Sequence, residues 1–482
     1  MNTLSLVKGI EYTGNIKDCE ISFVTDDSRK VSEGCAFVCC SGASFDGHSF
    51  AKKAEEIGAK LIVCEKDMGV ENQIIVKDSK KAYSLMCANF FDNPSRKMKM
   101  IGITGTNGKT TSTYLIKDIL QQQGKRVGLM GTIRNMIDDQ EIPAKFTTPQ
   151  AWELNVLLNQ MYKSGCEYVV MEVSSMALVQ QRLYGIQFDV SVFTNLTQDH
   201  LDYHKTMDEY FKAKSMLFEN SKSMVINIDD DYGKKLVEKY KDTDKKIVTF
   251  SLEDDSADCT AKNIQLSGTG SKFIIVSFGS INRVEFPMPG RYSVQNAIGA
   301  ILACANLGFD ISKICSGMKN IKGVRGRCDV VVKEPFTVIC DYAHTPDGLE
   351  NVLSSIKPFA ENRLIVLYGC AGERDPKKRK YMTQAVVKYA DFAVLTSDNP
   401  RGEDPQKILD DAIEGFEGSK VPYIAEIDRR KAIKTALDML QYKDILILCG
   451  KGHEDYQVID KITLYLDEHS IIEQYMKKRN EK

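Results

Sequence analysis

The stretch Met98-Lys-Met-Ile-Gly102-Ile-Thr-Gly105-Thr106-Asn107-Gly108-Lys109-Thr110-Thr111 decides the fold. An apolar run ends in a glycine-rich turn, and the helical pattern TTSTYLIKDILQQQG follows directly. Strand, glycine loop and helix in that order form a cradle for phosphate, because the loop N–H groups and the helix N-terminus both face an anion placed there. Gly105, Thr106, Asn107 and Gly108 would wrap a polyphosphate. Lys109 would reach its β and γ phosphates, and Thr110, ahead of Thr111, would hold Mg2+ by its hydroxyl. The strict pattern G-x4-G-K-[ST] is not met, since Ile103 stands where its first glycine belongs.

Outward from this loop the chain alternates strands and helices. KMIGIT, RVGLMG, YVVMEV, VSVFTNL and MVINID read as strands, and AWELNVLLNQMYKSG and MDEYFKAKSMLFEN as helices. Such alternation predicts a doubly wound, mostly parallel sheet. A β-rich patch follows (KFIIVSFG, INRVEFPMP), then the helix SVQNAIGAILACANLG. From about residue 330 the strands FTVICDY, RLIVLYG, DFAVLTSD, PYIAEI and DILILCG set up a second, Rossmann-like unit. Before Met98, shorter β-type runs (CEISFV, CAFVCC, AKLIVCE, NQIIVKD) with helical SFAKKAEEIG and KKAYSLMCANFF read as a small α/β domain that ends at Asn93-Pro94. The expected fold class is therefore α/β in three domains, 1–97, 98–328 and 329–482. A length of 482 residues agrees, at roughly 150 residues per domain.

Composition removes several function classes. With 64 Lys+Arg against 66 Asp+Glu the formal charge is -2, so no global basic field favours nucleic acid or an anionic membrane. Nowhere do about 18 consecutive apolar residues occur, and Lys8 and Glu11 interrupt what a signal peptide would need as its apolar stretch. A cytoplasmic protein is expected. The 14 cysteines are scattered without a CxxC pair, which reads as reduced core thiols.

Strand YVVMEV ends in Glu172-Val-Ser174-Ser175, and the next strand leads into Thr194-Asn195-Leu-Thr-Gln-Asp199-His200-Leu-Asp202-Tyr-His204. Ligands of doubly wound sheets bind outside the carboxyl ends of the strands, so Glu172 and His200 would sit beside the phosphates, which favours a metal role. Lys214, in EYFKAKSMLF, reads by itself as a surface lysine. In the third block Asp341-Tyr-Ala-His344, Gly369-Cys-Ala-Gly372-Glu-Arg374-Asp375, Asp398-Asn399-Pro400-Arg401 and Gly450-Lys451-Gly452-His453-Glu454 each follow a strand. Four polar clusters at one edge of a sheet mark a ligand crevice.

Taken together these residues resemble the Mur ligases, ATP-dependent amide ligases of peptidoglycan precursor synthesis. Within them they are similar to the MurE type, which adds the third amino acid to UDP-N-acetylmuramoyl-L-alanyl-D-glutamate. The ordered motifs run through the whole chain: TDDSRKVSEGCAFVCCSG and DGH; GTNGKTT, TTP, MEVSS, NLTQDHLDYH and AK; PGRYSVQN, GRCD, DYAHTPD, GERD, DNPR and GKGHEDYQ. The resemblance implies that Ser28 and His48 lie near the uridine nucleotide. Thr147, Thr148, Ser174, Gln180 and Arg182 would hold the muramoyl-peptide. Lys109, Thr110, Glu172 and His200 would serve the ATP phosphates and Mg2+, while Asn296, Arg327 and Asp341 would complete ATP binding. Lys214 matches the lysine that CO2 converts to a carbamate, an anionic oxygen ligand suited to a second Mg2+. Lys109, Glu172, His200, Lys214 and Arg327 would thus form the catalytic set of a monomer acting on small molecules.

For the incoming amino acid, Arg401 decides. An arginine binds a carboxylate as a bidentate fork, and meso-diaminopimelate carries a second carboxylate where L-lysine has hydrogen. Arg374, Asp398, Asn399, Pro400, Gly450 and Glu454 match the rest of that pocket, so diaminopimelate is expected. Three positions depart from the family: Met176 where His is usual, Arg325 where Pro is frequent and Lys205 where Gly is frequent. The competing readings are the same reaction with L-lysine or another diamino acid, a ligase of the folylpolyglutamate synthetase kind, a plain P-loop NTPase or kinase, and a muramoyl-peptide sensor without catalysis.

Overall fold

The computed structural model describes residues 1–42 and 45–480. The chain divides into two compact units. One comprises Met1–Thr260 with Ser277–Gly279 and Gln295–Ile314, the other Ala261–Val276 with Ser280–Val294 and the remainder from Cys315.

The first unit holds two sheets. The front sheet has the order Tyr12–Thr13, Gln73–Val76, Leu61–Cys64, Ala36–Val38, Val24–Thr25. Its strands are parallel except the first. They are shorter than their apolar runs suggest: of CEISFV only Val24 enters a named strand, Val24–Thr25. Leu6, Val24, Val38, Leu61, Ile74 and Met86 form its core.

The second sheet of this unit is the doubly wound one. Lys246–Ser251, Ser221–Asn227, Phe188–Phe193, Lys99–Thr104, Tyr168–Glu172 and Val127–Met130 lie side by side in that order, all parallel. Strands covered on both faces read as continuous apolar runs, which is why these segments are so legible. Register then places the site. Glu172 pairs with Ile103 and Phe193 with Thr104, so the loops after these three strands open at one edge. Helix Lys109–Gln122 follows the glycine loop, and Met207–Glu219 starts where Thr206 accepts from Glu209 N at 3.1 Å. The antiparallel strands Arg134–Ile137 and Gln140–Pro143 extend the sheet. They were not expected from RNMIDDQEIP, whose turn depends on Asp138 at φ 55.

The second unit carries a sheet in the order Asp329–Val332, Thr337–Asp341, Ile445–Cys449, Leu364–Cys370, Phe392–Ser397, Tyr423–Glu426. All pairs are parallel but the first. All 7 residues of Leu364–Cys370 are buried. Alternate side chains feed opposite faces: Ile339, Val366 and Leu395 pack into one core, Val338, Ile365, Leu367 and Val394 into the other. Each such Val, Leu or Ile contributes about 1.5–3 kcal/mol on burial. Asp341 pairs with Cys449 and Cys370 with Ser397, which aligns the polar strand ends. A small hairpin, Tyr456–Ile459 with Ile462–Tyr465, was not anticipated.

All fourteen cysteines are free, and twelve of them are buried. Among the described residues no helix is long and apolar enough to cross a membrane.

Candidate active site

In the first unit the glycine loop is held by its neighbours. Gly105 has φ +153, and a Cβ there would collide with Thr194 Oγ1. Thr194 Oγ1 in turn donates to Asn107 O at 2.6 Å, and Asn195 Oδ1 accepts from Asn107 N at 2.9 Å. Asn296 closes the other side, since its amide leaves no room for a Cβ on Gly108. Thr110 and Thr111 are buried at the start of the helix. The Lys109 ammonium folds back on the loop, donating to Gly105 O at 2.9 Å and Thr106 O at 2.8 Å.

Lys214 is not a surface residue. It is 2% exposed, and its ammonium donates to Gly105 O at 2.7 Å. Tyr210 lies under it, 4.6 Å from ring centre to nitrogen, and stacks on His204 at 4.9 Å. Burial pushes the Lys214 amine well below its ordinary value, and the Lys109 cation adds to the shift. His200 is held at φ 53, meets Tyr210 edge-on and has Asp199 3.5 Å away. Burial, against the pull of Asp199, lowers its pKa and favours the neutral imidazole.

Glu172 stands at the next strand end, 1% exposed. It accepts from Thr132 N at 2.8 Å through one oxygen and from Thr132 Oγ1 at 3.0 Å through the other. Thr132 Oγ1 lies 3.0 Å from Thr147 Oγ1. Thr148 donates to Glu172 O at 2.8 Å and to Ser174 Oγ at 3.3 Å. Arg182 donates to Thr148 O at 2.8 Å and grips the Gln180 amide oxygen with two nitrogens, 2.9 and 2.6 Å. Thr147, Thr148, Ser174, Gln180 and Arg182 are therefore linked, Thr147 through Thr132, into one hydrogen-bonded group beside Glu172. Among the described residues no three His, Cys, Asp or Glu side chains converge on a metal position. The expected ligand set, Thr110, Glu172, His200 and Lys214, is of mixed chemistry.

Ser28 begins a short 3-10 helix whose cap is Asp27. His48 is 3% exposed, with Nδ1 2.6 Å from Asp46 Oδ1 and Nε2 accepting from Glu65 N at 2.9 Å, so both ring nitrogens are engaged. Next to Met176 in the chain, the Ser175 hydroxyl lies 2.8 Å from His204 Nε2. Lys205 has φ 65, the conformation that a glycine adopts most readily.

In the second unit Asp341 is buried and accepts from Cys328 N at 2.6 Å and Ala343 N at 2.8 Å. Burial raises its pKa, against the lowering by Arg327 and these N–H groups. The Arg327 guanidinium lies 4.7 Å over the Tyr342 ring. Tyr342 donates its hydroxyl to Glu454 Oε1 at 3.3 Å, and Asn399 Nδ2 donates to Glu454 Oε2 at 3.1 Å. Lys451, with no exposure at all, donates to Asn399 Oδ1 at 2.5 Å and Glu454 Oε2 at 3.0 Å. Asp398 Oδ2 faces Gly450 and accepts no hydrogen bond within the protein. Arg401, at φ 53, donates to Gly372 O at 2.7 Å, and Gly372 N donates to Asn399 O at 2.9 Å. Pro400 is buried against Gly372, and the exposed Arg374 donates to Glu373 O at 3.2 Å.

Three family models match: the Mur ligase family catalytic domain over residues 20–90, the Mur ligase middle domain over 103–304 and the Mur ligase glutamate ligase domain over 326–452. The chain belongs to the Mur ligase family. This Mur ligase is 45% identical over 464 residues to UDP-N-acetylmuramoyl-L-alanyl-D-glutamate--2,6-diaminopimelate ligase 1 of Clostridium acetobutylicum, covering 95% of each chain. It is 44% identical to the ligase of the same name from Clostridium tetani, over 98% of this chain and 99% of that one. A solved structure of a UDP-N-acetylmuramoyl-L-alanyl-D-glutamate--2,6-diaminopimelate ligase superposes with a TM-score of 0.76 at 32% identity, covering 100% and 99% of the two chains.

Four participants escaped the sequence reading of this Mur ligase. Thr132 lies forty positions from Glu172, and Tyr210 supports Lys214 from the same helix without any motif to flag it. Lys451 and Tyr342 stood inside quoted motifs, and only their burial and partners give them roles.

Proposed function

We propose that this Mur ligase joins meso-diaminopimelate to the D-Glu carboxylate of UDP-N-acetylmuramoyl-L-alanyl-D-glutamate at the expense of ATP. The observation that carries the choice of amino acid is the loop pair of the second unit. Arg401, a guanidinium, lies three residues along the same loop from Asp398, whose buried Oδ2 accepts no hydrogen bond within the protein. A substrate with both carboxylate and ammonium groups at its far end suits that pairing, whereas L-lysine would leave the arginine unmatched.

A free carboxylate is a poor acyl donor. In this reading the D-Glu carboxylate attacks the γ-phosphorus of ATP, breaking its bond to the bridging oxygen and releasing ADP, which leaves an acyl phosphate. The amine of diaminopimelate attacks the acyl carbon, loses a proton, and the tetrahedral intermediate expels phosphate. Lys109 turns from Gly105 O and Thr106 O to the transferred phosphoryl group, where fixed positive charge matters most. Asn296 and the loop amides orient the nucleotide, the group for which the family resemblance also names Arg327 and Asp341. Thr147, Thr148, Ser174, Gln180 and Arg182 orient the peptide carboxylate, with Ser28 and His48 at the uridine end.

The residues fit the expected metal. Thr110, Glu172 and a carbamylated Lys214 supply hard oxygen donors, and His200 is favoured in the neutral form that can ligate. Mg2+ bound there would draw charge from the phosphate oxygens. Lys214 fits carbamylation because the neutral amine is what attacks CO2, and burial favours it. The three-domain division at 97 and 328, a monomeric state and a cytoplasmic location complete the proposal. Fourteen unpaired thiols suit a reducing compartment.

The test is amide formation with the UDP-dipeptide, ATP and a panel of diaminopimelate, lysine and ornithine. Phosphate release that needs all three substrates and is fastest with diaminopimelate supports the proposal. Equal or better kcat/KM with L-lysine overturns the specificity, and ATP turnover without the dipeptide overturns the ligase reading.

A further inference from the structure

Arg325 and His469 take no part in the reaction above, yet both close on the segment that carries Arg327. Val324 to Arg327 is a tight turn, with Arg327 N donating to Val324 O at 2.9 Å. Gly326, its third residue, has φ +68, while Arg325 is not among the residues of positive φ. That is the pattern of a type II turn, whose second position favours proline because the ring presets φ. Arg325 holds that position without the ring. A Cβ at Gly326 would collide with the backbone of Gly452 and His453, so the turn is seated against the Gly450–Glu454 loop.

An ion pair on one side and a hydrogen bond on the other tie the turn down. Arg325 Nη2 lies 2.7 Å from Asp467 Oδ1. The same carboxylate opens the C-terminal helix Glu468–Asn480, accepting from His469 N at 3.0 Å and from Ser470 Oγ at 3.0 Å. His469 Nε2 lies 2.8 Å from Asp329 Oδ2, an oxygen that also accepts from Gly326 N at 3.2 Å. Arg327 falls between the two ties.

We infer that Arg325 and His469 are positioning residues that clamp the Arg327 turn to the first turn of the C-terminal helix, an ion pair standing in for the rigidity of a proline. The inference rests on Arg327 serving the nucleotide. Arg325 is 41% exposed, so its tie is open to screening by salt, whereas a proline would not be. The clamp therefore makes nucleotide affinity depend on ionic strength beyond the dependence that the nucleotide's own charge imposes.

The experiment reads ATP binding directly by calorimetry on the full chain without the other substrates, and KM for each substrate in the complete reaction. Arg325→Ala is expected to weaken ATP about fivefold in both readouts, a loss of the size of one partly exposed ion pair, with KM for the diamino acid and the dipeptide unchanged. Arg325→Pro should restore ATP affinity and flatten its salt dependence relative to the native chain. His469→Gln, which keeps a donor, should stay near native, and His469→Ala should follow Arg325→Ala. Native ATP affinity in both alanine variants overturns the inference, and so does an equal loss for all three substrates, which marks general loosening. Calorimetric loss of ATP without any amide formation by the native chain would leave the clamp standing and remove the ligase proposal instead.

Discussion

Lys109 and Lys214 donate to one oxygen, the carbonyl of Gly105, at 2.9 and 2.7 Å. Two cations on one acceptor repel, and only Lys109 begins a helix at the loop's open edge. Lys214 is enclosed, so burial first, and the Lys109 charge second, loosens its proton. In the unfolded chain Lys214 holds that proton up to its ordinary value of 10.5, and in the folded chain it lets go at lower pH. Between the two values the unfolded state binds more protons, so this residue's contribution to stability rises as pH climbs toward 10.5. Lys214→Met should remove that rise. Denaturant unfolding of both proteins across the alkaline range tests it, and parallel pH curves would contradict it.

The same lysine should be essential for turnover. Lys214→Ala is expected to lose amide formation by about 100-fold or more, the scale on which loss of one charge-stabilising group lowers kcat. Short carboxylates added to the assay should restore part of the rate by standing in for the carbamate. A fully active variant would sink the carbamate role.

Gly105→Ala forces a side chain into Thr194 at a backbone angle of +153°. It should cost about 1–3 kcal/mol of stability and weaken ATP more than either other substrate. The checks are a urea midpoint and an ATP titration. An unchanged midpoint would mean that the loop relaxes freely.

Arg401→Ala should lower kcat/KM for diaminopimelate by the equivalent of about 2–5 kcal/mol, with little change for L-lysine. The comparison is internal, since one assay with two amino acids separates loss of the fork from loss of the fold. If both substrates fall together, Arg401 supports its loop through Gly372 O and does not select.

Arg429 and Glu468 form an ion pair with neither side chain exposed. Arg429 also donates to Ser397 O at 3.2 Å and Cys449 O at 2.9 Å, joining two strand ends to the C-terminal helix. Arg429→Met leaves a buried carboxylate uncompensated and should destabilise by about 3–5 kcal/mol. Glu468→Gln together with Arg429→Met should recover part of that loss in thermal unfolding. Failure to recover would place the cost in the two carbonyls.

The parallel sheets were legible because strands buried on both faces are apolar throughout, as Leu364–Cys370 and Ile445–Cys449 are. Their edges were legible too, since polar clusters follow each strand. The hairpin Arg134–Pro143 was not, because its residues alternate weakly and its turn relies on Asp138 in a left-handed conformation. Lys214 shows the limit most sharply. Composition makes it one more surface lysine, the family resemblance makes it the expected carbamate site, and only the structure shows it buried against Tyr210 with its pKa lowered.

The sequence by itself determined the phosphate loop, the order of the parallel strands with their helices, and the residue types at each strand end, because these depend on local spacing and periodicity, while its ordered motifs carried the resemblance to the family. Tertiary structure decided which of those residues meet. Thr132 finds Glu172, Lys451 finds Asn399 and Glu454, and Arg325 finds Asp467. Such pairs are set by strand register and by desolvation, which act between segments far apart in the chain and leave no pattern along it.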